Sequence, residues 1–226
     1  MKQFYIRLLS LIGGLFLYAL GIVVTMNAHI GYAPWEVLHV GIAKTTGISI
    51  GTASIIMGVI IGIIAVLLGE KLGLGTILDI VLIGVFLDII LKFHVIPLAN
   101  NLVFGIIMLI IGLFIISLGS YFYIKSGFGA GPRDSLMVAL TRKTILPIGV
   151  CRGLIELLAV IVGWRLGGMV GIGTVISAFV IGFCVQVTFK LLKFNVTEVK
   201  NETLGCTYKM IFNNKKVHLD EEEPIN

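Results

Sequence analysis

The sequence predicts an all-α membrane protein: six transmembrane helices plus two short helices, re-entrant or interfacial, in two inverted-topology repeats. Three observations carry that prediction. The chain is 58% hydrophobic and only 13% charged, with a mean hydropathy of +1.07, where a soluble domain carries about 25% charged residues. Six of the twelve acidic residues lie after residue 193, leaving Glu36, Glu70, Asp79, Asp88, Asp134 and Glu156 for everything before it. A water-facing surface cannot be made from so few charges, so the lipid bilayer is the expected solvent. The third observation is an internal repeat, described below.

The elements follow in order. The first apolar run, 6–26, comes after Lys2 and Arg7. It outlasts the roughly 7–15 residue core of a signal peptide, and no small-x-small cleavage site follows it closely, so it is read as the first span. Further apolar runs cover 49–69, 74–93, 101–124, 147–165 and 171–193, each close to the ~20 residues that cross ~30 Å of hydrocarbon. Two shorter pieces, 33–46 and 132–144, would form helices of roughly 20 Å, too short to span. The net charge of +5 does not point to nucleic acid, because Lys and Arg sit mostly at the ends of apolar runs, where membrane proteins place them. Cys151 and Cys184 fall in apolar segments and Cys206 in the tail, a distribution that suits small packing residues and forms neither a disulfide framework nor a zinc site.

Pro34 and Pro132 are 132 − 34 = 98 residues apart. At that one offset Phe16 meets Phe114, Thr46 meets Thr144, Thr76 meets Thr174 and Lys92 meets Lys190, while Glu36 meets Asp134 and Lys44 meets Arg142. Ile, Leu and Gly coincide easily in apolar sequence; Pro, Thr, Phe, Lys and acidic matches do not. Each unit then holds three spans and one short helix: repeat 1 over 1–94 and repeat 2 over 95–193, with a cytoplasmic tail over 194–226. Three crossings return the chain on the opposite side, so the second unit sits upside down. Lys and Arg counts place both termini in the cytoplasm. Tyr32, Trp35, Tyr121, Tyr123 and Trp164 fall near span boundaries and read as interfacial aromatics.

The short-helix blocks run Gly31-Tyr-Ala-Pro34-Trp35-Glu36 and Gly129-Ala-Gly131-Pro132-Arg133-Asp134. Pro suits the first helical position, and an acid two residues later faces the positive end of the helix dipole. Such N-termini at matched positions are candidate binding sites in transporters, able to hold an anion unless their own acids neutralise the dipole. Glu36-x-x-His39 has a di-iron spacing, but its counterpart is Met137, so no metal site is expected.

Four charges interrupt the apolar runs: Asp79 and Asp88 in the third, Arg152 and Glu156 in the fifth. Each costs at least ~2.5–3.5 kcal/mol at mid-membrane. Arg152 and Glu156, four apart, share a face and can pair. Asp79 and Asp88 lie on opposite faces, and Asp88 can meet Lys92 one turn on. A central site or cation route lined by Asp88, Arg152 and Glu156 competes with a reading in which these are structural pairs.

The blocks Gly31–Gly41 with Thr46–Gly51, and Gly127–Leu140 with Arg152 and Glu156 downstream, resemble the YczE/YyaS/YitT-type integral membrane proteins of bacteria over about residues 1–193. The resemblance implies a bacterial cytoplasmic membrane protein and supplies no substrate. One departure is Ile145, which stands where the first copy has Gly47. The expected function is a small-solute transporter or channel-like protein for an unknown molecule or ion, with no cofactor and a possible homodimer. The alternative is a membrane factor that scaffolds or regulates partner proteins. No Ser-His-Asp, His-Glu-x-x-His or phosphate-loop pattern is present, so no enzyme is expected.

Overall fold

The computed structural model describes residues 2–195, Val199 and Glu202, and the described residues contain no strand. The eight helices are α1 (Lys2–Asn27), α2 (Pro34–Thr46), α3 (Ile50–Leu67), α4 (Leu74–Phe93), α5 (Leu102–Lys125), α6 (Pro132–Lys143), α7 (Ile148–Arg165) and α8 (Ile172–Leu191). Five of them, α1, α3, α4, α5 and α8, are long and apolar enough to cross a membrane. Helix α7 has 18 residues, as many as α3, but contains Arg152, Glu156 and Arg165. Large apolar side chains such as Ile63, Val85, Leu158, Phe179 and Phe183 are exposed on the outside of the bundle, as they must be where the surroundings are hydrocarbon.

Local sequence accounts for where the helices begin. Ser49 accepts from the Thr52 N–H at 3.0 Å to cap α3, and Asn101 accepts from the Phe104 N–H at 2.8 Å to cap α5, each satisfying one of the free amides of the first turn. Pro34 and Pro132 take the first position of α2 and α6. Helix α2 ends at Gly47, whose φ of 78° lets its N–H bond back to the Ala43 carbonyl at 2.9 Å. At the second site, where Ile145 replaces that glycine, Thr144 leaves α6 with extended backbone (φ −121°) and Ile145 is left fully exposed.

The centre of the bundle is α1 packed against α5. They run antiparallel: Ser10 donates to the Phe122 carbonyl at 3.1 Å, Gly14 lies beside Gly119, Gly21 beside Gly112, and Ala28 beside Gly105. Helix α4 flanks α1, and α8 flanks α5. The short helices cross between the halves, α2 lying on α7 and α6 on α3. Helix α3 also seals against α4, where Gly51 meets Gly84 and Gly58 meets Ile80. The corresponding face between α7 and α8 is not sealed: Gly149, Gly153 and Gly182 have nothing within 4 Å of where a side chain would start.

Cys151 and Cys184 are buried and free, while Cys206 lies outside the described residues. The tail is not wholly solvated as expected. Glu202 is 3% exposed, donates its N–H to the Gly127 carbonyl at 2.8 Å and pairs with Arg7 at 2.6 Å. Arg7 also donates to the Ser126 carbonyl at 2.7 Å and lies over the Phe128 ring. A partly buried guanidinium needs such partners, and the tail carboxylate supplies one.

Candidate functional site

Each short helix is introduced by a glycine turn that clips onto the last long helix of the other half. Gly31 (φ 116°) and Gly129 (φ 114°) adopt the left-handed backbone that favours glycine. A Cβ on Gly31 would lie 2.6 Å from the Gly171 nitrogen, and one on Gly129 would lie 2.8 Å from the Gly73 Cα. The clips match in their bonds: the Gly173 N–H donates to the Ile30 carbonyl at 2.8 Å and the Gly75 N–H to the Phe128 carbonyl at 2.7 Å. Thr76 Oγ1 adds a bond to the Ala130 carbonyl at 2.6 Å. These contacts aim the N-termini of α2 and α6 into one cavity of about 250 Å³. Its walls include Gly58, Ile83, Glu156 and Ile181, which lie near the middles of α3, α4, α7 and α8.

Of the candidates at the short-helix starts, the structure brings Pro34, Trp35, Glu36, Gly131, Pro132, Arg133 and Asp134 to this cavity. Gly31 and Gly129 stand behind it in the clips. Trp35 and Arg133, equivalent positions of the two blocks, face each other, with the guanidinium 4.6 Å from a Trp35 ring centroid, a cation–π contact. Trp35 and Tyr123, both expected as interfacial aromatics, line the cavity, and Tyr123 is 5% exposed. Glu36 is buried, and burial raises its carboxyl above the ordinary range while the Arg133 guanidinium opposes that rise. Burial, with Arg133 second, holds His39 well below the usual imidazole range, so it is neutral at pH 7.

Among the charges of the long helices, Asp79, Arg152 and Glu156 line the cavity and Asp88 does not. Arg152 Nε donates to Glu156 Oε1 at 2.9 Å, the pair expected from their spacing. Asp79 lies at the start of α6, where a Cβ on Gly131 would be 3.0 Å from Asp79 Oδ2 and 3.2 Å from the Tyr123 hydroxyl. Of the four candidate polar residues, Asp79, Arg152 and Glu156 are thus brought together and Asp88 is not. Asp88 sits on the other face of α4 and accepts from Ser49 Oγ and from the Gly51 N–H at 2.7 Å. It closes the N-terminus of α3, in preference to the Lys92 partner its spacing suggested, because free helix amides and a cap hydroxyl bind a carboxylate well. Replacing Asp88 by Ala should cost about 1–2 kcal/mol. The check is the thermal midpoint of the purified protein, and an unchanged midpoint would contradict this capping role.

Lining residues that escaped the sequence reading of the site include Tyr18, His39 and Tyr123. Two of them hold buried polar atoms without a hydrogen-bond partner, His39 Nδ1 and the Tyr123 hydroxyl. The i, i+3 spacing of Glu36 and His39 was a usable signal, since it puts both on one helix face.

Matched positions recur around the walls. Ser54 and Arg152, Gly58 and Glu156, Asp79 and Ser177 are pairs separated by 98, and all six residues line the cavity.

Eight helices among the described residues, five of them long and apolar enough to cross a membrane, around a cavity with charged side chains in its wall define a polytopic α-helical membrane protein. Residues 5–190 match the family described as "Family of unknown function (DUF6198)", and the chain belongs to it. It is 32% identical over 201 residues to the "Uncharacterized membrane protein YczE" of Bacillus subtilis, covering 86% of this chain and 93% of that one. It is 39% identical over 157 residues to an "Uncharacterized protein" of Haemophilus influenzae, covering 70% and 71%. The "Uncharacterized protein YyaS" of B. subtilis is 30% identical over 187 residues, covering 80% and 90%. No solved structure matches. The resemblance carried by the two proline blocks is therefore correct.

Proposed function

We propose that the protein is a small-solute carrier made of two inverted repeats, 1–94 and 95–193, with six spans (α1, α3, α4, α5, α7, α8) and with α2 and α6 re-entrant. The observation that carries this reading is a polar cavity in the middle of the bundle, walled by matched positions of the two halves. Several features support the arrangement. Adding 98 to the bounds of α3 and α4 yields the bounds of α7 and α8. The equivalent helices α1 and α5 run antiparallel, as a two-fold axis in the membrane plane requires. The clips before α2 and α6 exchange partners reciprocally. Paired broken helices whose N-termini meet between inverted repeats are a transporter arrangement.

The halves differ in one respect, which supplies a transport cycle. With the termini cytoplasmic, the sealed α3–α4 contact at Gly51 and Gly84 lies toward the outside, and the α7–α8 gap at Gly149 and Gly182 toward the cytoplasm. This is an inward-open state. Exchanging the two arrangements between the repeats gives the outward-open one.

The test is flux in vesicles reconstituted with the full chain, using amines, amino acids and carboxylates together with a proton-sensitive dye. Protein-dependent movement of one class is expected, slowed at least tenfold by Glu156→Gln with the thermal midpoint retained. No protein-dependent flux of any class would defeat the carrier reading. Full activity of the folded variant would remove Glu156 from the mechanism.

A further inference from the structure

Resting on the carrier reading, we propose that the cavity takes a small monovalent organic cation of the alkylammonium type. Charge sets the sign. Four carboxylates line the space, Glu36, Asp79, Asp134 and Glu156, against the guanidiniums of Arg133 and Arg152. His39 is neutral. The N-termini of α2 and α6 contribute about half a positive unit each. Those ends already face the acids at their third positions, Glu36 and Asp134. The acids outnumber the guanidiniums by two, and in a low-dielectric enclosure that excess is met by protons or by a bound cation. A monovalent cation can take the place of such a proton, whereas an anion adds to the negative charge.

Independent atoms point to the same ligand. His39 Nδ1 and the Tyr123 hydroxyl are buried, line the cavity and have no hydrogen-bond partner. Buried polar atoms are almost always paired, so these two suit a guest whose N–H groups they can accept. Arg152 is already paired with Glu156 at 2.9 Å, and Arg133 lies over the Trp35 ring. Between its polar groups the wall carries apolar side chains, including Ile22, Ile80, Ile83 and Ile181. That lining favours an organic body over a bare metal ion, which would need a full set of oxygen ligands. A volume of about 250 Å³ is below the ~300–1,000 Å³ of drug-sized sites and limits the guest to about ten heavy atoms.

The experiment is calorimetric binding to the purified full chain in detergent, with ethylammonium, glycine and acetate as probes. Ethylammonium is expected to bind, with Asp79→Asn weakening it at least tenfold and Arg133→Gln tightening it. Thermal midpoints confirm folding; if Asp79→Asn does not fold, Glu36→Gln is read in its place with the same expectation. Acetate or glycine binding as tightly as ethylammonium would overturn the proposal. So would the absence of ethylammonium binding, or an affinity within twofold of the native chain in the folded acid variant. Binding and flux separate the two readings. Ethylammonium that binds but never crosses the vesicle leaves the substrate class standing and removes the carrier. Flux of acetate or glycine, lost in Arg133→Gln, keeps the carrier and removes the cation.

Discussion

Gly182→Leu should fold as well as the native chain and transport at least tenfold more slowly. The two halves of that expectation come from different states. In the structure nothing lies within 4 Å of a Cβ built on Gly182, so a larger side chain meets no neighbour. Leucine is also the better helix former, by roughly 0.8–1 kcal/mol in a helix interior. The thermal midpoint should therefore stay level or rise. In the outward-open state of the proposed cycle, α8 closes on α7 as α4 now closes on α3. Gly182 then occupies the place of Gly84, where a Cβ would lie 2.5 Å from the Gly51 carbonyl and from the Ile55 side chain. A leucine cannot be seated there without forcing the helices apart, so the variant is held inward-open. Vesicle flux and the midpoint, measured on the same preparation, check both halves. A folded variant with native flux would show that α7 and α8 do not close during transport. A variant that fails to fold would show that the gap is not a feature of the resting protein.

Most of the frame was legible because it depends on length, polarity and repetition. The apolar runs 74–93 and 147–165 became helices α4 over Leu74–Phe93 and α7 over Ile148–Arg165, of which only α4 is long and apolar enough to cross a membrane, and the prolines placed the starts of α2 and α6. The pairing of Arg152 with Glu156 was also legible, since both atoms sit on one helix and need no tertiary knowledge. That Asp79 and not Asp88 lines the cavity was not. Both lie on α4, and helical geometry says only that they point opposite ways. Which way is inward depends on α6 and α3, whose positions come from partners far away in sequence. Tyr123 was misplaced for a related reason. An aromatic near the end of an apolar run reads as a membrane-boundary residue, yet Tyr123 is buried with its hydroxyl beside Gly131, just before α6. The contact of Arg7 with Glu202 spans 195 residues and had no local signal.

Gly21→Leu is expected to be the most damaging single substitution in the bundle, and its control sits eight residues away. Between lipid-exposed helices the hydrophobic effect gives little net drive; close packing through small residues holds the pair together. The α1–α5 seam is built this way and is self-complementary. Gly14 faces Gly119 and Gly21 faces Gly112, and 98 separates Gly14 from Gly112 and Gly21 from Gly119. A Cβ on Gly21 would lie 2.7 Å from the Ile116 nitrogen and 2.8 Å from the Gly112 carbonyl. Those neighbours are helix backbone and cannot rotate away as a side chain would. Overpacking of a core typically costs ~1–3 kcal/mol, and with backbone on the far side Gly21→Leu belongs at ~3 kcal/mol or above. The gain in helix propensity, at most ~1 kcal/mol, does not offset it. Gly13→Leu, on the same helix with nothing within 4 Å, should be neutral or slightly stabilising. Thermal midpoints of the two variants in one detergent separate the outcomes: a large fall for Gly21→Leu beside a level Gly13→Leu. Equal midpoints would mean that α1 and α5 do not meet through this seam. The two-fold frame would then lose the contact about which its halves are arranged.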